Sequence, residues 1–459
     1  MRKFKKIMGM ILVFTLMVIG SSNIKAYAFG KESTLFAGAT ITNLKVDKEE
    51  VVAGDKVKVS LQIPNYHDKI HLLSVTYLKP MSYEEIALIT LSYNKDNDTY
   101  EGYINIDENT ESGIWILSSV RILDIQEDRT TIFGDILEQP NSQDLSAGTF
   151  LVRGDLKINS LIGSDRYDTA VKLSASQFSN TNTVVIANGE ALADGLGATP
   201  LATYMNAPLL LSDKDYLPEV TKNEIKRLGA KNAIIVGGTG VVTDAVTQQL
   251  KSLGITNVTR LGGTDRYDTS LEIAKYIDAN CYDVANIVIS NGYGEADALS
   301  IASVAGRDQA PIILVEKDKV PENVYNWLKG ESIEDAYIIG GTGVVSDNVL
   351  NKIDEITLSN VANNRLGGED RYETNAIVID TFFGPLLNKV YIAKGLELID
   401  ALAAGPVAAL NGAPVVLSDN DLTTEQKVVL SKRFANVIVR TGGGITEESV
   451  NSLKTSVEY

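Results

Sequence analysis

The chain has 459 residues, 44% of them hydrophobic and 22% charged, with a mean hydropathy of +0.01 and a formal net charge of −17. This globular composition excludes a disordered tail, a collagen-like repeat and a multispanning membrane protein, and at about 100–200 residues per domain it leaves room for two to four domains. The single cysteine, Cys281, excludes an intramolecular disulfide and a cysteine-rich metal site; with only His67 and His71 present, histidine-based catalysis is excluded beyond residue 71.

Residues 1–28 read as a secretory signal peptide. Arg2, Lys3, Lys5 and Lys6 form a basic start, residues 7–19 an apolar run, and Ala26-Tyr27-Ala28 places small residues where a signal peptidase checks them. A retained membrane anchor needs ~20 apolar residues, and this run is shorter, so cleavage after Ala28 is expected. The segment holds five basic and no acidic residues, so its removal takes the net charge from −17 to −22, divided as −9 over residues 29–157 and −13 over 158–459. A chain this acidic throughout is a poor bulk binder of nucleic acid. Secretion without disulfides points to a Gram-positive bacterium.

Residues 29–157 alternate apolar and polar positions over short runs. The run 56–63 is a period-two strand with one buried face, and 40–46, 72–78, 86–91, 100–106 and 114–123 are similar, separated by turn formers such as Ala53-Gly54-Asp55. Six or seven strands over about 110 residues suggest an immunoglobulin-like β-sandwich that lacks the disulfide. Asp96, Asn97 and Asp98 have oxygen ligands for calcium but lack the glycine and glutamate spacing of an EF-hand loop, and read as a hairpin turn. His67 and His71 have no third ligand, so no metal site is expected, and the region reads as a spacer or binding surface.

From residue 158 the chain repeats itself. Gly163-Ser164-Asp165-Arg166-Tyr167-Asp168-Thr169 returns as Gly263-Thr264-Asp265-Arg266-Tyr267-Asp268-Thr269 and as Gly368-Glu369-Asp370-Arg371-Tyr372-Glu373-Thr374. A second signature joins Asn188-Gly189, Asp194 and Ala207-Pro208-Leu209-Leu210-Leu211 in the first copy. Its counterparts are Asn291-Gly292, Asp297 and Ala310-Pro311-Ile312-Ile313-Leu314, then Lys394-Gly395, Asp400 and Ala413-Pro414-Val415-Val416-Leu417. A third, Gly237-Gly238-Thr239-Gly240-Val241-Val242, returns as Gly340-Gly341-Thr342-Gly343-Val344-Val345, whereas the last copy reads Arg440-Thr441-Gly442-Gly443-Gly444-Ile445. Arg260 and Arg365 precede the first signature in copies two and three, where copy one has Ser160.

Three tandem units follow, 158–258, 259–363 and 364–459. In the first, helices are expected near 166–177, 191–205, 218–228 and 244–253, and continuously apolar strands near 183–187, 208–212, 232–236 and 256–261, with Asp165 or its predecessor capping the first helix. Such strands between amphipathic helices imply α/β units with parallel sheets covered on both faces, Rossmann-like if the crossovers are right-handed. Gly237-Gly238-Thr239-Gly240 lacks the Gly-Lys-Ser/Thr ending of a phosphate loop and the spacing of a dinucleotide fingerprint, so no cofactor is expected.

The G-x-D-R-Y, N-G-x-x-x-A-D and G-G-T-G-V-V elements resemble the clostridial cell wall binding repeat 2 over residues 158–459. The resemblance implies a secreted, non-catalytic surface protein whose three Rossmann-like or toprim-like repeats pack with pseudo-threefold symmetry. It also implies non-covalent binding to an anionic secondary cell-wall polysaccharide, association with surface-layer proteins, and residues 29–157 displayed as an adhesin, spacer or surface-layer contact. Carried over, the anchoring residues are Arg166, Arg266 and Arg371 with the neighbouring Tyr167, Tyr267 and Tyr372. The apolar triplets Leu209, Leu210, Leu211; Ile312, Ile313, Leu314; and Val415, Val416, Leu417 join them. Arginine suits the task because its planar fork holds phosphate or carboxylate bidentately, and an acidic protein needs such local donors to hold an acidic polymer. Two other readings stand beside these: the arginines pair with Asp194, Asp297 or Asp400 and lock the fold, and the triplets are core strand. The alternative function is a wall hydrolase using a carboxylate pair, with the repeats as its targeting module.

Overall fold

The computed structural model describes residues 36, 38–78, 80, 85–124, 129–135 and 142–457, so the signal-peptide segment 1–28 lies outside the described residues. The chain divides into two compact units, one ending at Asp155 and the other spanning Leu156–Tyr459.

The first unit holds β1 (Thr42–Val46), β2 (Glu50–Val51), β3 (Lys56–Gln62), β4 (Ile70–Leu78), β5 (Glu85–Asn94), β6 (Thr99–Asn105), β7 (Gly113–Asp124), β8 (Arg129–Phe133) and β9 (Phe150–Val152). They form one hydrogen-bonded path in the order β1-β3-β6-β5-β4-β7-β9-β2, with β8 on β7. The start of β5 pairs with β4 and its end with β6, so one strand serves both parts of the path where a sandwich would have two separate sheets. β1 and β2 lie at opposite ends of the path yet are joined by residues 47–49, which at about 3.5 Å per residue forces the sheet to curl until its ends meet. Inside the curl, the alternating residues Val57, Val59, Leu61, Leu73, Val75 and Tyr77 are buried with Trp115 and Phe150, and the Tyr77 hydroxyl donates to the Gly148 carbonyl at 2.8 Å. Residues 95–98 form the turn between β5 and β6.

The second unit begins with β10 (Lys157–Leu161), α1 (Arg166–Gln177), β11 (Thr183–Asn188), α2 (Ala198–Tyr204), β12 (Leu209–Ser212), α3 (Glu219–Leu228), β13 (Asn232–Val236), α4 (Asp244–Ser252) and β14 (Asn257–Leu261). The pattern returns with α5 (Arg266–Asn280), β15 (Asn286–Asn291), α6 (Glu295–Arg307), β16 (Ile312–Val315), α7 (Glu322–Gly330), β17 (Asp335–Ile339), α8 (Asp347–Asp354) and β18 (Arg365–Leu366). It closes with α9 (Arg371–Phe382), β19 (Leu386–Lys394), α10 (Ile399–Leu410), β20 (Val415–Ser418), α11 (Thr424–Leu430), β21 (Phe434–Thr441) and α12 (Glu447–Val457). Three parallel sheets result, ordered β12-β11-β13-β14, β16-β15-β17-β18 and β20-β19-β21-β10.

Sequence periodicity and sheet membership are out of step. A boundary at residue 258 cuts β14, which belongs to the first sheet, and a boundary at 363 detaches β18 from the second sheet. β10 belongs to the third sheet, paired in parallel with β21, so the chain before the first repeat completes the last one. After each of these strands the chain crosses to the next unit: α1 packs on β12, α5 on β16 and α9 on β20.

The axis of the assembly is formed by α2, α6 and α10, each packed on the other two. Small side chains permit that approach. A Cβ added to Gly306 would lie 2.6 Å from Thr203 Oγ1, 2.9 Å from Ala409 Cβ and 3.2 Å from Thr199 Cγ2, atoms of both other axial helices. In Gly306→Val, these short, stiff neighbours cannot yield, and a loss of about 1–3 kcal/mol in folding stability is expected; urea denaturation of the full chain measures it.

Candidate functional site

Each G-x-D-R-Y signature is the turn at which the chain leaves one sheet for the helix of the next unit. Asp165 and Asp265 cap their helices by accepting from Asp168 N (2.8 Å) and Asp268 N (2.9 Å), and Asp370 accepts from Tyr372 N and Glu373 N at 2.8 and 2.9 Å. The turns close alike: Gly163 N, Gly263 N and Gly368 N donate to Thr169, Thr269 and Thr374 Oγ1, at 3.1 Å in every copy. The cap fixes the arginine as the first helical residue.

From there the three arginines make one common contact. Arg166 Nη1 donates to the Gly189 carbonyl at 2.7 Å, Arg266 to that of Gly292 at 2.6 Å, and Arg371 to that of Gly395 at 2.7 Å. The acceptor is the glycine of the second signature in the same repeat, whose lack of a side chain is required: a Cβ there would lie 2.7, 2.7 and 2.5 Å from Cε1 of Tyr167, Tyr267 and Tyr372. These tyrosines are half-buried against the glycines, and burial raises their hydroxyl pKa, that of Tyr167 to about 12. Among the described residues, Nε and Nη2 of the three arginines find no hydrogen-bond acceptor, which leaves donors for a ligand.

None of the arginines forms an ion pair with the repeated aspartates. Arg166 Nη1 lies 3.1 Å from Glu190 and Arg266 Nη1 3.8 Å from Glu295, and among the described residues no carboxylate comes within 4 Å of Arg371. The aspartates instead sit beneath the glycine turn of the third signature. Gly237, Gly340 and Gly442 adopt φ of +112°, +110° and +80°, and a Cβ on the first two would lie 3.3 and 2.9 Å from Oδ2 of Asp194 and Asp297. Asp297 is 7% exposed; burial raises its pKa, opposed by a hydrogen bond from Thr374 and by the charge of Arg371. Burial lifts Asp400 further, to about 6, opposed first by Arg166, and its Oδ1 has no hydrogen-bond partner among the described residues. The aspartate of the second repeat thus feels the arginine of the third, and that of the third feels the arginine of the first. These two sites belong to seams between one repeat and the next around the ring.

The nine triplet residues lie on β12, β16 and β20 and are at most 2% exposed. They offer no surface to a polymer, and their direct contact with one is corrected to a place in the core. The reason is that these outer strands of each sheet are roofed by the helix of the seam: Ser270 Oγ accepts from Leu314 N, and Asn375 bonds both Val415 O and Leu417 N.

Sequence reasoning missed the residues opposite the arginines. Asn188 and Asn291 donate to Val241 O (2.6 Å) and Val344 O (2.7 Å) and so pin the third-signature loop, while Lys394 replaces them in the last copy and pairs with Glu397 at 3.1 Å. The missing arginine of copy one is also accounted for. Arg260 and Arg365 clip the loop by bonding Val242 O and Val345 O at 2.7 Å and pairing with Asp244 and Asp347. In the third sheet the clip is Arg440, bonded to Ile445 O and Glu447, and Arg440 lies directly across the ladder from Ser160.

A closed set of three α/β repeats, each with a carbonyl-held arginine and an aspartate beneath a glycine turn, defines a tandem-repeat module. The chain belongs to the family of cell wall binding domain 2, whose profile matches residues 161–247, 260–350 and 365–451. Among solved structures, Cwp6 from Clostridium difficile is 36% identical, with a TM-score of 0.65 over 91% of this chain and 68% of that one. Cwp8 from Clostridium difficile, 24% identical, shares the fold with a TM-score of 0.60 over 88% and 89% of the two chains. The N-acetylmuramoyl-L-alanine amidase LytC of Bacillus subtilis (strain 168) is 33% identical over 306 residues, 66% of this chain and 59% of that protein. The amidase enhancer of the same strain is 32% identical over 311 residues, 67% and 42% of the two. The chain thus spans about three fifths and two fifths of these two curated relatives. Membership carries association with the cell wall; among the described residues no helix is long and apolar enough to cross a membrane.

The raised pKa of Asp400 has a definite sign. Its folded value, about 6, exceeds the ordinary 3.8, so folding takes up a proton between these values, and the stability this group contributes falls as pH rises from 3.8 to 6 and is level above. Asp400→Asn relieves the buried charge: its stability relative to wild type should rise by on the order of 1–2 kcal/mol between pH 4 and pH 7. Paired urea titrations at the two pH values give that difference, and a constant offset contradicts it.

Proposed function

We propose that this is a secreted, non-catalytic surface protein, held non-covalently on an anionic secondary cell-wall polysaccharide through its repeat seams. The observation that carries the reading is the state of Arg166, Arg266 and Arg371. Each is tethered by a single backbone carbonyl and keeps further donors without an acceptor among the described residues. A guanidinium fixed this way loses little freedom when it takes up a carboxylate or phosphate, and its locally positive edge works against the acidic field of the chain. The non-catalytic assignment rests on the absence of histidine and of a phosphate-loop sequence from the repeats.

The finer architecture belongs to the same proposal. The strand order second-first-third-fourth of the first two sheets, kept in the third with β10 in the fourth place, and the helices covering parallel strands support a Rossmann-like or toprim-like unit. The curled N-terminal sheet is assigned to the immunoglobulin-like class on its strands, antiparallel except where β2 meets β9, and its buried aromatic core, and serves as an adhesin, a spacer or a contact for surface-layer proteins.

The test is co-sedimentation of the full chain with washed Gram-positive cell walls, before and after mild acid removes their accessory polymer. Wild-type protein should pellet with intact walls and stay in solution with stripped ones. The triple variant Arg166→Gln, Arg266→Gln, Arg371→Gln removes the charge and leaves a polar side chain at each position. Without the three guanidinium charges, its binding should weaken by roughly 100-fold or more in a variant that still unfolds cooperatively. Equal binding of the folded variant would sink the arginine sites, and equal binding to stripped walls would sink the polymer.

A further inference from the structure

The residue after the motif glycine differs in chemistry from repeat to repeat: Glu190, Tyr293 and Leu396. In the first repeat it supplies an anion, with Glu190 Oε2 3.1 Å from Arg166 Nη1. In the second, the Arg266 guanidinium lies over the Tyr293 ring, 4.1 Å from its centroid, while Tyr293 is 76% exposed. The backbone holds Tyr293 in place, since its N–H donates to Asn291 Oδ1 at 2.7 Å. One face of the ring is therefore covered by a cation and the other faces water, beside Tyr267 and with Glu295 3.8 Å from the guanidinium. A large flat ring left this exposed gains little from folding, but it matches the C–H face of a sugar ring, while the arginine edge beside it matches a carboxylate or phosphate on the same sugar.

We propose that Tyr293 and Arg266 form a saccharide subsite, Tyr293 taking the apolar face of one sugar ring and Arg266 its anionic substituent, and that Glu190 competes with the polymer for Arg166. The three seams are then unequal: the second stacks and neutralises, the third offers Arg371 alone, and the first is occupied by the chain's own carboxylate. This rests on the wall-polymer reading above, and it assigns to the residue after each glycine the role of tuning its seam.

The experiment is a binding isotherm of the full chain on washed Gram-positive walls at low salt, with acid-stripped walls as the second substrate. Tyr293→Ala should weaken binding to intact walls by about 3–10-fold, while Tyr293→Phe, which keeps the ring, should stay within about 2-fold of wild type. Glu190→Gln should strengthen binding by about 2–5-fold, a gain that a merely structural residue does not give. Because Tyr293 and Glu190 are exposed, melting temperatures should not move. If wild type binds intact walls and Tyr293→Ala binds equally well, the subsite is overturned while the wall reading stands. No gain from Glu190→Gln overturns the competition, and a wild type that ignores intact walls overturns both readings.

Discussion

The pairing of Lys157–Leu161 with Val437–Thr441 is the constraint on which the repeat unit depends. Three sheets, each lacking one strand until the neighbouring stretch of chain supplies it, make a ring only if the last deficit is met from the start. The strand preceding the first repeat meets it. Every seam then has the same construction: a strand ends in one sheet, a capped turn follows, and the next helix roofs the next sheet. The axial helices can lie side by side because Gly306 and its small neighbours remove the bulk that would hold them apart.

That construction explains why the chemistry sits at the seams. A capped helix start fixes each arginine, and a glycine carbonyl from the following strand end takes one of its donors. The repeated aspartates lie beneath glycine turns that have no room for a side chain, and Asp297 and Asp400 feel the arginine of the next repeat. Arginine and aspartate do not close into an ion pair across the seam; Arg166 has Glu190 beside it and Arg266 has Glu295, while among the described residues Arg371 has no carboxylate within 4 Å. In an acidic chain this is one way to keep a cationic donor available to an anionic partner.

The symmetry is one of backbone, with side chains adjusted around it. The loop clip is Arg260 and Arg365 on the outer strand in two sheets but Arg440 on the inner strand in the third, directly across the ladder from Ser160. The position is kept in space while it moves in sequence. A reading along the chain therefore records two departures, the missing arginine at 160 and the altered spelling at 440–445, where the structure has a single exchange between paired strands.

Much of this was legible in advance. The helix and strand periods, the capping aspartates and the threefold recurrence are local properties, set within a few residues by propensity, capping and hydrophobic spacing, and the first-repeat elements fall within one or two residues of their expected ends, save that 191–205 divides into a short turn and α2. The strand runs of the N-terminal unit are local in the same sense, but their curling into one path is not, because it depends on which strands pair across the chain. The same limit applies to the site. Local patterns alone were enough to place Arg166, Arg266 and Arg371 at the start of three equivalent helices and the triplets in strands. It took the folded chain to bring Arg371 and Arg166 near Asp297 and Asp400 of the repeats before them, to seal the triplets in the core, and to give the first strand to the last sheet. Those facts turn on contacts between residues up to about 280 positions apart, which no local pattern encodes.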